Sequence, residues 1–203
     1  RYRIMSDELL EKFISEYFEI FSGSLDFVWH GGEPLLAGLR FFKKIVSLQK
    51  RYAYSGDVVS NKIQTNGTLI NAEWATFFAD NNFKVGVSID GSKVSHDANR
   101  KTPRDKGSFD KVMVGVETLR RHGIEPGIIQ TITKPSLSRA KEDFKFFTNI
   151  LGTTNWGVNA FLCTDSINKS MLDHSISDQE LSDFLVSYVD RWIEQDDETI
   201  RIR

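Results

Sequence analysis

Cysteine is almost missing from this sequence. Cys163 is the only thiol among 203 residues, so the chain can close no disulfide within itself and build no thiolate cage for zinc. Beside Phe161 and Leu162, Cys163 reads as a small core residue. Charge of one sign is missing too: 26 Lys and Arg stand against 28 Asp and Glu, a formal net charge of −2. That leaves no basic field for nucleic acid, and no run approaches the ~20 apolar residues of a membrane span. There is no internal repeat, low-complexity tract, linker or signal peptide, so a cytoplasmic setting is the default. The chain opens Arg1-Tyr2-Arg3 without a methionine and is expected to be processed or a piece of something longer.

What is present is an ordinary globular composition, 40% hydrophobic and 12% aromatic, long enough for one domain burying roughly 70% of its unfolded surface. Helical and strand patterns alternate, the signature of βα units and a parallel sheet. A first helix capped by Ser6 is expected to bury Leu9, Leu10, Phe13, Ile14, Tyr17 and Phe21. Strands are expected at 25–29, 58–65, 83–89, 128–132 and 158–162. Between them lie helices carrying Phe41 to Leu48, Trp74 to Phe78 behind an Asn71 cap, 108–122 closed by Gly123, and Phe144 to Ile150 closed by Gly152. A long polar connection follows the third strand. Ser177 and Glu180 form a capping box for a last helix, and Thr199 to Arg203 alternates like a strand. Right-handed crossovers then give an open doubly wound sheet or part of a (β/α) barrel.

In either architecture ligands gather at the carboxyl ends of strands. Those ends read His30-Gly31-Gly32-Glu33, Gln64-Thr65-Asn66-Gly67, Ser88-Ile89-Asp90-Gly91, Gln130-Thr131 and Cys163-Thr164-Asp165. Paired glycines let backbone approach a ligand, and a carboxylate beside them can receive a cation. Each end also has a plain reading: Asn66-Gly67 and Asp90-Gly91 are ordinary turns, Ser88 can satisfy a backbone group, and His30 can be a packed imidazole. The run His96 to Lys101 is a solvated loop or a clamp folded over the strand ends. The convergence of polar ends carries more weight than any one motif.

Taken in order, Gly31-Gly32-Glu33-Pro34-Leu35, Gln64-Thr65-Asn66-Gly67-Thr68-Leu69-Ile70, Val87-Ser88-Ile89-Asp90-Gly91, His96-Asp97 and Arg100 resemble radical S-adenosylmethionine enzymes. Among these the chain is most similar to anaerobic sulfatase-maturating enzymes of the SPASM-associated type. The resemblance implies an α/β fold, a partial (β/α)6 TIM-like barrel whose first strand is missing. It implies one core domain over 1–203, cut at both ends, with 177–203 leading toward a C-terminal domain outside the chain.

By the same resemblance Gly31, Gly32 and Glu33 hold the amino end of S-adenosylmethionine. Ser88 contacts the cofactor, His30 sits near cofactor or substrate, and Gln64, Asn66 and Asp90 line the rim. Arg100 partners a carboxylate or a structural acid, and Thr164 makes an adenine-side contact. The family also carries a CxxxCxxC loop for a [4Fe-4S] cluster, which one cysteine cannot supply, so the cluster ligands are expected outside the chain. The implied reaction cleaves S-adenosylmethionine reductively to a 5′-deoxyadenosyl radical and oxidises a Cys or Ser of a sulfatase to formylglycine. It needs a protein or peptide substrate and an electron donor, with no nucleic acid or membrane partner.

Three alternatives stay open: a maturase forming thioether or carbon-carbon crosslinks, a cluster-free binding module or partner subunit, and an unrelated barrel enzyme using Asp90, His30 and Glu33 for acid-base or metal chemistry.

Overall fold

The computed structural model describes residues 4–162 and 172–203. Cys163 and Thr164 lie outside the described residues. Six strands, β1 Ser24–Trp29, β2 Val58–Thr65, β3 Lys84–Ser88, β4 Gly127–Ile132, β5 Asn155–Ala160 and β6 Arg201–Ile202, follow one another in sheet order as they do in the chain. Seven α-helices precede or join these strands among the described residues: α1 Asp7–Ile20, α2 Leu39–Tyr52, α3 Ala72–Asp80, α4 Lys93–Asn99, α5 Phe109–Arg121, α6 Ala140–Lys145 and α7 Asp178–Gln195. They fall into two compact units, Arg1–Gly86 with Gly115–Pro126, and Val87–Val114 with Gly127–Arg203.

In the first unit β1 and β2 pair in parallel, Leu25 opposite Val59 and Trp29 opposite Ile63. Along β1, Leu25 and Phe27 are buried while Asp26 and Val28 face out, the two-residue period of a half-covered strand. Three caps act as the residue types predict. The Ser6 hydroxyl accepts from Leu9 N–H at 3.2 Å, and the Asn71 side chain accepts from Trp74 N–H at 3.0 Å. Gly123, at φ 76° past the end of α5, takes the left-handed position that a side chain resists. The core is aromatic: Phe42, Trp74, Phe77, Phe78 and Phe83 meet with ring centroids 5.4 to 6.3 Å apart.

The buried stripe of α1 differs from the expected one. Leu10, Ile14 and Phe18 are buried, whereas Leu9, Phe13 and Phe21 are exposed. Apolar residues cover two adjoining faces of this helix, and periodicity alone does not choose between them. Phe13 and Tyr17 still meet Phe27 of β1 at its flank.

In the second unit β4 pairs with β5 and β5 with β6, all in parallel. The fifth strand starts three residues earlier than expected, because Trp156 is held opposite Ile128 and packs among Phe144, Phe147 and Tyr188. The polar run Thr153-Thr154-Asn155 hides that start from a pattern reading. The polar connection after β3 contains α4, then an antiparallel bridge between Lys101 and Gly107. Beyond α6 the backbone continues as a π turn, Phe146–Ile150. Its wider register rotates later positions off the α-helical phase, and Ile150 is exposed rather than buried. α7 opens with the expected capping box: Glu180 N–H donates to Ser177 Oγ at 3.2 Å, and Ser177 N–H donates to the Glu180 carboxylate at 2.8 Å.

Candidate functional site

The first unit brings the carboxyl ends of β1 and β2 together around one carboxylate. Glu33 Oε1 accepts from Leu35 N–H at 3.0 Å and from the Thr65 hydroxyl at 2.7 Å, and Oε2 accepts from Asn66 N–H at 2.8 Å. Glu33 thus caps the 3-10 turn Pro34–Ala37 and ties it to the end of β2. Of about four acceptor positions on a carboxylate, three are taken among the described residues, which leaves one on Oε2.

Gly31 and Gly32 stand at φ +103° and +55°, and beyond their chain neighbours no atom of the described residues lies within 4 Å of where a Cβ would be. Packing therefore does not require glycine here; the left-handed backbone conformation does. A cavity of about 640 Å³ opens at this point, lined by Trp29, His30, Gly31, Gly32, Glu33 and Asn66, with Phe41 and Phe42 behind. The Trp29 indole is fixed by a bond to Asn61 Oδ1 at 2.9 Å, and Asn61 exchanges two amide hydrogen bonds with buried Gln49.

Asn66 lines the cavity, but its Oδ1 is occupied by Thr68 N–H and the Thr68 hydroxyl, an Asx turn that shapes the loop. Gln64 lies against Gly86, where a Cβ would stand 2.1 Å from the amide oxygen; that close approach is what Gly86 permits. Gly115 of α5 likewise admits the Gly67 carbonyl. His30 is exposed at the cavity mouth.

The second unit holds a buried polar network around the end of β3. Asp90, 1% exposed, accepts from Arg100 Nε at 2.8 Å on Oδ2 and from Thr131 N–H at 3.0 Å on Oδ1. Arg100 Nη2 also donates to the Thr131 hydroxyl at 3.2 Å. Gln130 donates to the Asp90 carbonyl at 3.2 Å and accepts from the Tyr188 hydroxyl at 2.8 Å. Asp90 therefore holds Arg100 rather than facing open space.

His96, fully buried, is held down to a pKa of about 4, chiefly by burial and also by Arg100, against the pull of Asp90 and Asp97. The neutral ring accepts from Asp90 N–H on Nδ1 at 3.4 Å. Its Nε2 donates to Ser108 Oγ at 2.9 Å, and that hydroxyl donates to the Arg100 carbonyl at 3.0 Å. The run from His96 to Lys101 is thus in part a buried brace, not a wholly solvated loop. Ser88 ends β3, and Thr164 lies outside the described residues.

Pattern reading placed Thr65 at a strand end without giving it a partner, and did not mark Asp143 or Tyr188 as site residues. Asp143 sits on a helix beside Glu142 and Lys141, where an acid reads as solvated, and only its burial marks it out.

Fold and site together define an α/β protein whose glycine loop, at the carboxyl end of a parallel strand, opens backbone and a carboxylate onto a cavity. The Radical SAM superfamily profile matches residues 1–145, and the chain belongs to that superfamily. It is 37% identical to a serine-type anaerobic sulfatase-maturating enzyme of Bacteroides thetaiotaomicron, across 95% of this chain and 50% of that protein. It is 33% identical to a cysteine-type anaerobic sulfatase-maturating enzyme of Clostridium perfringens, across 95% of this chain and 52% of that protein. The chain spans about half the length of the curated relatives it matches.

Among solved structures, native anSMEcpe with bound AdoMet superposes with a TM-score of 0.91 at 32% identity, over 100% of this chain and 56% of that one. The form with bound AdoMet and the Kp18Cys peptide gives 0.92 at 32% identity, with the same coverage. This match bears out the expected α/β partial barrel of the radical SAM type. Among the described residues no helix is long and apolar enough to cross a membrane.

Proposed function

We propose that this chain is the S-adenosylmethionine-binding part of a radical enzyme that oxidises a Cys or Ser of a sulfatase to formylglycine. The observation that carries this reading is the Glu33-anchored glycine loop. A ligand ammonium needs acceptors and an unobstructed backbone, and Gly31, Gly32 and the remaining lone pair of Glu33 offer both. Two relatives named as sulfatase-maturating enzymes and a neighbour with AdoMet and peptide bound support it.

The residues fit the cofactor as follows. Gly31, Gly32 and Glu33 receive its amino group, Trp29 and Phe41 give the cavity an apolar wall, and the Arg100 guanidinium, held by Asp90, is available to a carboxylate. The [4Fe-4S] cluster takes its thiolates from outside these 203 residues, which contain one cysteine. Cofactor and cluster, when bound, supply the hydrogen-abstracting chemistry, while the chain orients the ligand and keeps its polar groups paired. A cytoplasmic setting, an electron donor and a sulfatase-like peptide complete the reading.

The test is to incubate the intact, cluster-loaded protein anaerobically with S-adenosylmethionine, a reductant and a peptide bearing a sulfatase-type Cys or Ser. Mass spectrometry should find an aldehyde at that residue, trapped by hydrazine reagents. A crosslinked peptide without aldehyde, or no binding of S-adenosylmethionine, overturns the reading.

A further inference from the structure

The turn after β3 is held almost entirely by side chains from elsewhere. Asp90 N–H goes to His96, the Asp90 carbonyl to Gln130, and Ser92 N–H to Asp143 Oδ1 at 2.9 Å. Asp143 lies 51 residues from Ser92 in sequence, on α6. Its Oδ1 also accepts from the Ser95 hydroxyl at 2.8 Å, and Ser95 Oγ in turn accepts from Arg139 Nε at 3.1 Å. One carboxylate oxygen therefore joins the turn, the first turn of α4 and the start of α6.

Gly91 supplies an independent observation. At φ +131°, its missing Cβ would stand 2.3 Å from the Asp143 carboxyl carbon. The glycine of Ser88-Ile89-Asp90-Gly91 leaves the space that this distant acid fills. Asp143 is fully buried, and its Oδ2 has no hydrogen-bond partner among the described residues. Such an oxygen is costly to bury. Burial holds its carboxyl above the usual range, against the bonds from Ser95 and Ser92 and the charge of Arg139.

We infer that Asp143 is a positioning residue: it fixes the Asp90-Gly91-Ser92 turn and, through Asp90, the guanidinium of Arg100, which the proposed function offers to a carboxylate. Asp143 is buried and acts through Ser92 and Ser95. The inference rests on the proposed cofactor reading for its functional half only.

The test has two readouts on the intact protein. Amide hydrogen exchange at Ser92 reports the clamp whether or not a cofactor binds, and S-adenosylmethionine affinity reports its use. In the unaltered protein the Ser92 amide should be strongly protected; free exchange there overturns the clamp. Asp143→Asn keeps an acceptor oxygen at Oδ1 and should preserve both protection and affinity within a few-fold. Asp143→Ala should release the Ser92 amide and weaken S-adenosylmethionine by about tenfold or more. A folded Asp143→Ala protein that keeps Ser92 protected, or that binds the cofactor unchanged, overturns the inference. If Asp143→Ala does not fold, Ser95→Ala takes its place, with a smaller loss in the same direction expected, and the unaltered protein's Ser92 protection still decides. Failure of the unaltered protein to bind S-adenosylmethionine, with Ser92 protected, removes the cofactor reading and leaves the clamp standing.

Discussion

The Thr65 hydroxyl donates to the Glu33 carboxylate at 2.7 Å, across 32 residues of sequence. With Asn66 N–H on the other oxygen, this bond ties the glycine loop to the end of β2. Glu33 therefore acts on the cavity as an anchor as well as a charge.

Removing that anchor should loosen both loops at once. Glu33→Ala orphans Leu35 N–H, Asn66 N–H and the Thr65 hydroxyl, and hydrogen bonds to charged groups are worth about 1.5 to 3 kcal/mol each. Affinity for S-adenosylmethionine should fall by two orders of magnitude or so, with faster amide exchange at Leu35 and Asn66. Thr65→Val removes one donor while keeping the volume, so it should fall between Glu33→Ala and the unaltered protein. Equal affinity in all three would leave Glu33 without a role.

Gly31→Ala should act through backbone strain. A residue with a side chain at φ +103° costs on the order of 1 to 3 kcal/mol, and the added methyl enters the open space of the cavity. Cofactor binding should weaken by more than melting temperature predicts, because the methyl meets no protein atom within 4 Å. Calorimetric titration beside thermal denaturation separates the two effects.

The buried His96 sets an acid limit on stability. Its folded pKa of about 4 lies below the ordinary 6.5, so above pH 6.5 neither state carries the proton. As pH falls from 6.5 toward 4 the unfolded chain gains it first, and up to about 3 kcal/mol of stability is lost across that window. Asp143, raised by burial, runs the other way: its share of stability is greatest at acid pH and declines above the usual carboxylate range. Urea titrations at several pH values should show His96→Gln removing the loss between 6.5 and 4, and Asp143→Asn removing the opposing slope.

Asp90 and Arg100 should behave as a coupled pair. Arg100→Ala leaves a buried carboxylate with Thr131 N–H at 3.0 Å and the longer bond from Asn99 Nδ2 at 3.5 Å, a change that costs about 3 to 5 kcal/mol where a buried partner is removed. Combining it with Asp90→Asn should recover part of that loss, and a double-mutant cycle measures the coupling. Strict additivity would mean that the pair contributes nothing beyond its separate contacts.

The sequence by itself determined the alternation of helices and strands, the caps at Ser6, Asn71 and Ser177, and the glycine-rich strand ends. Each of these is a local property: a hydroxyl or amide reaching its own helix, a period of two or three to four residues, a backbone angle only glycine takes without strain. It also determined that Gly31, Gly32 and Glu33 stand together, because they are consecutive.

Only the tertiary structure decided what those residues touch. That Glu33 is held by Thr65 and Asn66, that Asp90 is buried against Arg100 and Thr131, and that Asp143 reaches Ser92 beside Gly91 are contacts across 10 to 51 residues of chain. Local propensity is blind to such distances. Which face of α1 is buried, and where β5 begins, followed the same rule: packing of Phe18 against Phe27 and packing around Trp156 chose among patterns that the sequence left equivalent.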